Sequence, residues 1–203
     1  MKIIIHRVNT IEQLKKLPEE YGVEIDVRSF GERLILNHEP HQNGVDLKEY
    51  LRHSKDRFII FNIKEAGIEY EIIELAKKYS IEDYFLLDVE FPFIYDATRV
   101  KNFKKIAIRF SEAEPIEMAL AQTRNNIPLL DWVWIDTNTL FPINLENKKK
   151  IELFKTCLVC PERWGRPEDI EKYKRKISEL GLRLDAVMTS LELASKWENG
   201  CDF

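Results

Sequence analysis

The sequence has little cysteine, glycine or proline and no long apolar run. Its 203 residues include 3 Cys, 7 Gly and 8 Pro. Three cysteines are too few for a disulfide framework, and the low Gly and Pro contents exclude collagen-like and low-complexity chains. No stretch approaches the roughly 18 apolar residues of a membrane span, and the apolar run Ile3–Ile5 is too short for a signal peptide. We therefore expect a soluble, cytoplasmic protein without membrane insertion.

A basic surplus and nucleotide-binding motifs are also missing. The net charge is −4 and the pI is about 5.7, whereas nucleic-acid-binding domains are usually basic. No G-x-G-x-x-G follows a predicted strand and no Walker-A motif occurs, which disfavours the nucleotide-binding α/β folds. The chain does contain 44% hydrophobic residues, enough to bury a core. We expect a globular protein with no nucleic-acid partner.

Short β-rich runs alternate with charged helical stretches along the whole chain. The predicted strands cover residues 2–6, 23–28, 58–63, 84–89, 105–110, 132–136, 156–160 and 185–189. The predicted helices cover residues 10–20, 46–53, 67–79, 91–101, 115–125, 144–153, 167–180 and 190–197. Eight βα units without a long break favour a single compact (β/α)8 TIM barrel over an open sheet. We expect one domain over residues 1–203.

The second predicted strand carries two acidic residues on one face. Glu24, Asp26 and Arg28 alternate there with valine and isoleucine, so the charged side chains share the inward face of a barrel. Two buried carboxylates cost several kcal/mol unless something neutralises them. Hard carboxylate oxygens favour one divalent cation, Mg²⁺ or Ca²⁺. The alternative is a salt bridge to Arg28 or to Lys64.

Polar residues also mark the carboxyl ends of the other predicted strands, where barrel enzymes place their chemistry. These residues are His6, Asn62, Lys64, Asp88, Glu90, Arg109, Asp136 and Glu162. Such a mixture suits an anionic substrate near a metal, although a merely polar rim is the alternative. His38 lies at the end of an extended stretch after the second strand. Histidine titrates near neutral pH, so His6 and His38 can divide proton donation and acceptance between them.

The C-x-x-C formed by Cys157 and Cys160 lies in a predicted strand. No second pair follows at zinc-finger spacing, and a strand points the two side chains to opposite faces. We expect both cysteines to be small core residues with no redox or metal role.

Four short motifs follow one another in a familiar order: His6-Arg7 on the first strand, Glu24-x-Asp26 on the second, His38 soon after, and Lys64 on the third. This order resembles that of the glycerophosphodiester phosphodiesterase family, and more broadly the barrel phosphodiesterases that include phosphatidylinositol-specific phospholipase C. The resemblance implies metal-assisted hydrolysis of a small soluble phosphodiester, through a cyclic phosphate where a substrate hydroxyl attacks.

The resemblance also implies roles for individual residues. Glu24 and Asp26 would hold the cation, and His6 and His38 would act as general base and general acid. Arg7 would bind a phosphate oxygen and Lys64 would neutralise charge near the metal. Strand parity, rather than a motif, adds Arg109 to the phosphate-binding residues.

The motifs depart from the family pattern at several positions. Val8 stands where the family has glycine, and Glu39 replaces the aspartate after the second histidine. Asn62 stands where a third metal carboxylate is expected. An asparagine carbonyl still ligates a hard cation, but the site loses a negative charge. Glu90 or Asp88, one strand further along, is the candidate substitute, so the predicted metal residues are Glu24, Asp26, Asn62 and Glu90.

These departures leave two other functions open. One is a phosphodiesterase or a metal-independent cyclising lyase acting on a nucleotide- or sugar-linked phosphate. The other is a non-catalytic barrel that binds a phosphorylated ligand or a partner protein. The sequence predicts neither the substrate alcohol nor the oligomeric state.

Overall fold

A computed structural model describes residues 1–198 and confirms a mixed α/β fold with all eight predicted strands. In chain order the strands are β1 (Lys2–Ile5), β2 (Gly22–Phe30), β3 (Arg33–Leu36), β4 (Val45–Asp46), β5 (Ile59–Ile63), β6 (Tyr84–Leu87), β7 (Ala107–Phe110), β8 (Thr123–Arg124), β9 (Ile127–Pro128), β10 (Trp132–Ile135), β11 (Lys155–Val159) and β12 (Ala186–Thr189). Strand β3 corresponds to the extended stretch predicted before His38, whereas the sequence does not predict the short strands β4, β8 and β9.

Helices follow most of the predicted strands but are shorter than the sequence suggests. They are α1 (Ile11–Lys16), α2 (Leu47–Leu51), α3 (Glu69–Lys78), α4 (Phe91–Arg99), α5 (Glu117–Leu120), α6 (Leu145–Ile151), α7 (Ile170–Glu179) and α8 (Ser195–Glu198). Short 3₁₀ turns precede α7 and α8 and follow β11. Thr10 caps α1 through a capping box with Gln13, which explains why the helix begins where the sequence predicts.

The chain divides into two compact units, and residues 4–94 form one of them. Its parallel sheet has the order β1–β2–β5–β6, with Asp26 of β2 in register with Asn62 of β5. The second half of β2 continues into a hairpin with the antiparallel strand β3. Gly31 makes this turn with a φ of 62°, a conformation that glycine adopts at little cost.

Residues 1–3 and 95–198 form the described part of the other unit. Its parallel sheet has the order β7–β10–β11–β12. The helix predicted over residues 115–125 is wrong beyond Leu120, because a small hairpin of β8 and β9 begins at Thr123. Asn125 and Asn126 both have positive φ, as a two-residue hairpin turn requires.

The core of each unit consists mainly of apolar strand and helix side chains. Cys157 and Cys160 belong to this core as buried free thiols, as the sequence predicts. Burial raises the pKa of Cys160 to about 12, which disfavours the reactive thiolate. Within residues 1–198, no helix has the length and apolar character needed to cross a membrane.

Candidate active site

The two carboxylates of β2 lie side by side in the interior of the unit of residues 4–94. Glu24 is 1% exposed and Asp26 is 0% exposed. The strand order sets their surroundings, because β1 and β5 flank β2 and present His6 and Asn62 at the same edge. Burial and the neighbouring Asp26 raise the pKa of Glu24, so this pair is held at an energetic cost.

Nitrogen donors surround Glu24. Its Oε2 accepts a hydrogen bond of 2.8 Å from the Arg7 amide, and its Oε1 accepts one of 2.8 Å from Asn62 Nδ2. His6 Nε2 lies 3.8 Å from Oε2. Arg7 has a φ of 54°, a left-handed conformation that is uncommon outside glycine. The chain thus turns sharply after β1, at the point where the Arg7 amide contacts the carboxylate.

Asp26 is held by Asn9, a residue that the sequence analysis did not single out. Asn9 Nδ2 donates to Asp26 Oδ2 at 2.8 Å, and the Asp26 amide donates to Asn9 Oδ1 at 2.9 Å. Lys64 Nζ forms an ion pair of 3.1 Å with Asp26 Oδ1, and Arg7 Nε lies 4.0 Å from Oδ2. The salt bridge to Lys64 considered from the sequence is therefore present.

Arg28 does not provide the other salt bridge considered from the sequence. Its Nε and Nη2 atoms donate to the His38 carbonyl at 3.2 and 3.0 Å, and its Nη1 donates to the Lys64 carbonyl at 3.3 Å. Strand parity places Arg28 on the face of Glu24 and Asp26, but the longer side chain reaches past them to the backbone. Arg28 thus ties together the two segments that carry His38 and Lys64.

His38 contacts two charged side chains. Arg7 Nη2 lies 2.6 Å from its Nε2 atom, and Glu39 Oε1 lies 2.6 Å from its Nδ1 atom. Arg7 therefore connects the histidine with the carboxylates, because the same residue donates its amide to Glu24. The predicted residues His6, Arg7, Glu24, Asp26, His38, Asn62 and Lys64 all lie in this one unit.

Two buried oxygen atoms of the site are of the chemical kind that ligates a hard cation. Asp26 Oδ1 and Asn62 Oδ1 are buried and accept no hydrogen bond, although Lys64 neutralises the first as an ion pair. Buried acceptor oxygens without a donor are costly, and carboxylate and amide oxygens are ligands of Mg²⁺ and Ca²⁺. No group of three or more His, Cys, Asp or Glu side chains with metal-binding geometry occurs within residues 1–198. Any cation here would depend on the amide oxygen of Asn62.

The remaining predicted site residues have different surroundings. Glu90 is exposed in the segment between β6 and α4, and its role as a metal ligand stays a prediction. Arg109 lies in the other unit, at the end of β7, where its guanidinium donates to the buried Asp136. Its role in phosphate binding also stays a prediction.

Solved structures with a similar fold were found, whereas no protein-family model and no curated protein matches the chain. A glycerophosphodiester phosphodiesterase from Parabacteroides distasonis ATCC 8503 is 15% identical, with a TM-score of 0.63, over 96% of this chain and 95% of that one. The enzyme of the same name from Agrobacterium tumefaciens str. C58 is 13% identical, with a TM-score of 0.65, over 96% and 99% of the chains.

A further structure, a glycerophosphoryl diester phosphodiesterase from Parabacteroides distasonis ATCC 8503, is 13% identical, with a TM-score of 0.65, over 96% of this chain and 85% of that one. At identities this low the likeness establishes the fold. The family resemblance drawn from the sequence thus agrees with the architecture, and this chain shares the fold of glycerophosphodiester phosphodiesterases over nearly its whole length.

Proposed function

We propose that the protein is a phosphoric diester hydrolase that acts on a small glycerophosphodiester-like molecule, on a closed (β/α)8 barrel, with one divalent cation, Mg²⁺ or Ca²⁺, at Glu24 and Asp26. One observation carries the proposal: within one unit, a buried carboxylate pair has His6, Arg7 and Lys64 as close neighbours, and Arg7 connects the pair with His38. The names of the structures that share the fold support the same substrate class.

The cationic residues are placed to bind and orient an anionic substrate. The Arg7 guanidinium is 45% exposed although its amide contacts the buried Glu24, so it remains open to a phosphate oxygen. Guanidinium and phosphate form strong charge-assisted hydrogen bonds. Lys64 offsets the charge of Asp26. When bound at Glu24, Asp26 and Asn62, the cation would polarise a phosphoryl oxygen and stabilise added negative charge.

The two histidines would move the protons of the reaction. One takes the proton of the attacking hydroxyl or water as the new P–O bond forms. The other gives a proton to the leaving alcohol oxygen as its P–O bond breaks. Such general acid–base help typically contributes about 10²- to 10⁴-fold to the rate. His6 is 13% exposed beside Glu24, whereas His38 is more open between Arg7 and Glu39.

A second candidate is metal-independent cleavage at the same site, including cyclisation of a nucleotide- or sugar-linked phosphate. The observation that favours it is the hydrogen bond from Asn62 to Glu24, together with the ion pair from Lys64 to Asp26. Asn62 stands where a third metal carboxylate is expected. Through these contacts, nitrogen groups of Asn62 and Lys64, instead of a cation, face the two carboxylates.

Hydrolysis of bis(p-nitrophenyl) phosphate separates the two candidates. The purified protein is assayed with Mg²⁺, Mn²⁺ or Ca²⁺ and with EDTA. Under the same conditions, the products formed from a glycerophosphodiester are followed by ³¹P NMR. We expect turnover that EDTA abolishes and that a divalent cation restores. Turnover that EDTA leaves unchanged would establish the metal-independent reaction. No turnover of any phosphodiester in any metal would contradict both candidates and favour a ligand-binding barrel.

A further inference from the structure

Glu39 completes a chain of contacts that begins at Arg7 and passes through His38. Arg7 Nη2 and Glu39 Oε1 each lie 2.6 Å from one nitrogen of the ring, Nε2 and Nδ1 respectively. A guanidinium has only donors, and an ionised carboxylate has only acceptors. His38 therefore accepts at Nε2 and donates from Nδ1. This arrangement selects the neutral tautomer that carries its proton on Nδ1.

The backbone that carries His38 is held from both sides. Arg28 donates to the His38 carbonyl, and the Glu39 amide donates to Asn37 Oδ1 at 2.9 Å. The backbone N–H of Asn37 in turn donates to the backbone carbonyl of Asp26 at 3.0 Å. These contacts limit the ways in which the imidazole can turn away from Glu39, although the Glu39 carboxylate is exposed.

We infer that Glu39 is the positioning residue of His38 and that His38, rather than His6, is the general base of the reaction, which reverses the order that the resemblance implies; the inference rests on the phosphodiesterase function proposed above. Glu39 holds the ring so that the Nε2 lone pair lies on the side of Arg7. The family aspartate at this position is thus replaced by a residue whose longer side chain still reaches the adjacent ring.

Substrate binding would free the lone pair. A phosphate oxygen is a stronger acceptor for Arg7 than a neutral imidazole nitrogen, so the guanidinium transfers its N–H to the phosphodiester. The attacking hydroxyl then gives its proton to His38 Nε2 as its oxygen bonds to phosphorus. The bond between phosphorus and the leaving alcohol breaks, and His6 donates the proton that the alcohol takes up. Glu39 stabilises the imidazolium form of His38 meanwhile.

The charged groups around His38 support this division of roles. Arg7 donates to one ring nitrogen and Glu39 accepts from the other, while Arg28 donates to the His38 carbonyl. The hydrogen bond from His38, together with the charges of Arg7 and Arg28, lowers the pKa of Glu39. Glu39 therefore stays ionised at neutral pH and remains available as an acceptor.

Imidazole ¹⁵N NMR combined with kinetics tests the inference on the full chain. The variants are Glu39→Ala, which removes the acceptor, and Glu39→Gln, which keeps an acceptor oxygen but removes the charge. Glu32→Gln, at another exposed acidic position in the same unit, is the matched control. The His38 signals are assigned by their loss in His38→Ala, at a pH where the ring is neutral.

We expect wild-type His38 to carry its proton on Nδ1 and Glu39→Ala to lose this preference. The turnover number kcat should fall about 10- to 100-fold, part of the contribution of general base catalysis, with KM nearly unchanged. Glu39→Gln should lie between Glu39→Ala and wild type, and Glu32→Gln should match wild type. In a His38→Ala background, Glu39→Ala should cause no further loss, since both changes remove one coupled function.

If Glu39→Ala leaves both the Nδ1–H signal of His38 and kcat unchanged, the positioning role of Glu39 is overturned. If the wild-type protein hydrolyses no phosphodiester, the proposed function and the base role of His38 both fail. The NMR spectra would still decide whether Glu39 selects the tautomer, so the two failures are distinguishable.

Discussion

Each of the two units holds buried carboxylate groups, within β2 in one unit and after β10 in the other, and the two sets are neutralised differently. Asp136, after β10, accepts from the Arg109 guanidinium and from the indole N–H groups of Trp134 and Trp164. By contrast, Asp26 Oδ1 and the neighbouring Asn62 Oδ1 are buried without a hydrogen bond, and Lys64 meets the first of them as an ion pair.

We interpret this difference as one between a structural carboxylate and a proposed functional pair. A buried acid with a full set of donors stabilises its surroundings. An acid pair with incomplete partners costs stability, and sites of this kind are typically functional. We therefore expect changes at Glu24 and Asp26 to reduce activity more than stability, and changes at Asp136 to do the reverse. Four predictions test this contrast, from the largest expected effect on activity to the smallest.

Glu24→Gln should reduce kcat/KM about 10³-fold, since several kcal/mol of charge stabilisation at the phosphoryl group depend on the cation site. The unfolding free energy should stay constant or rise, because the variant removes a buried charge. The amide introduced at position 24 brings an N–H group. Once the side-chain amide of Asn62 flips, this N–H can also donate to Asn62 Oδ1, which has no donor in the wild type. Steady-state kinetics and urea unfolding measure the two effects. Asp26→Asn should lose activity to a similar degree and remain folded.

His6→Ala and His38→Ala should each lower turnover about 10²-fold or more, the usual effect of removing general acid–base help. Both proteins should remain folded, because neither side chain belongs to the apolar core. Single-turnover kinetics with a chromogenic diester would show the effect on the chemical step. Wild-type rates in either variant would remove that histidine from the mechanism. His53→Ala, a change at an exposed histidine in the same unit, serves as the control.

Asn9→Ala should weaken cation affinity or activity about 10- to 100-fold, as is typical of residues that orient a ligand. Asn9 holds both the carboxylate and the amide of Asp26, so its loss lets the carboxylate turn. The adjacent Thr10→Ala is the matched control. It should cost about 1 kcal/mol of stability through the lost helix cap, with activity retained. Calorimetric titration with Mg²⁺ or Ca²⁺ compares the two, and equal affinities would contradict the role of Asn9.

Asp136→Asn should have the smallest effect on kcat/KM and a clear effect on stability. The variant weakens the contacts of Arg109, Trp134 and Trp164, of which the Trp134 indole is buried. A loss of about 1–3 kcal/mol is typical when a buried donor loses its acceptor. Urea unfolding followed by tryptophan fluorescence measures this loss. A large fall in activity without destabilisation would instead support a direct role for Arg109 in phosphate binding, which Arg109→Met would then test.

The strand pattern could be predicted from the sequence because it depends on local alternation. All eight main strands appear within about two residues of their predicted positions, a usual uncertainty for element boundaries. The pairing of the extended stretch before His38 as β3, and the strand β4, could not be predicted in the same way. Both strands are short and owe their existence to pairing with the end of β2 around Gly31. The helix predicted over residues 115–125 failed where Asn125 and Asn126 turn the chain.

In the candidate site, too, the features that depend on local alternation could be predicted and the others could not. Residues on or directly after strands, such as His6, Glu24 and Asn62, could be grouped from strand parity and chain order. Three further residues lie in loops or contact loop backbone, and their partners depend on how each loop folds: Asn9, Arg28 and Glu39. Arg28 shows the limit of parity, because it lies on the predicted face yet contacts backbone carbonyls rather than the carboxylates. For Asn9, the only signal in the sequence was its position just after the first motif.

The central claim is that Glu24 and Asp26 form the reactive carboxylate pair and that Asp136 is structural. The most direct test compares hydrolysis of bis(p-nitrophenyl) phosphate by wild type, Glu24→Gln and Asp136→Asn, each in Mg²⁺ and in Ca²⁺, with the unfolding free energy of each protein. We predict that Glu24→Gln is stable and nearly inactive, whereas Asp136→Asn is less stable and active. A stable Glu24→Gln protein with wild-type turnover would contradict the account.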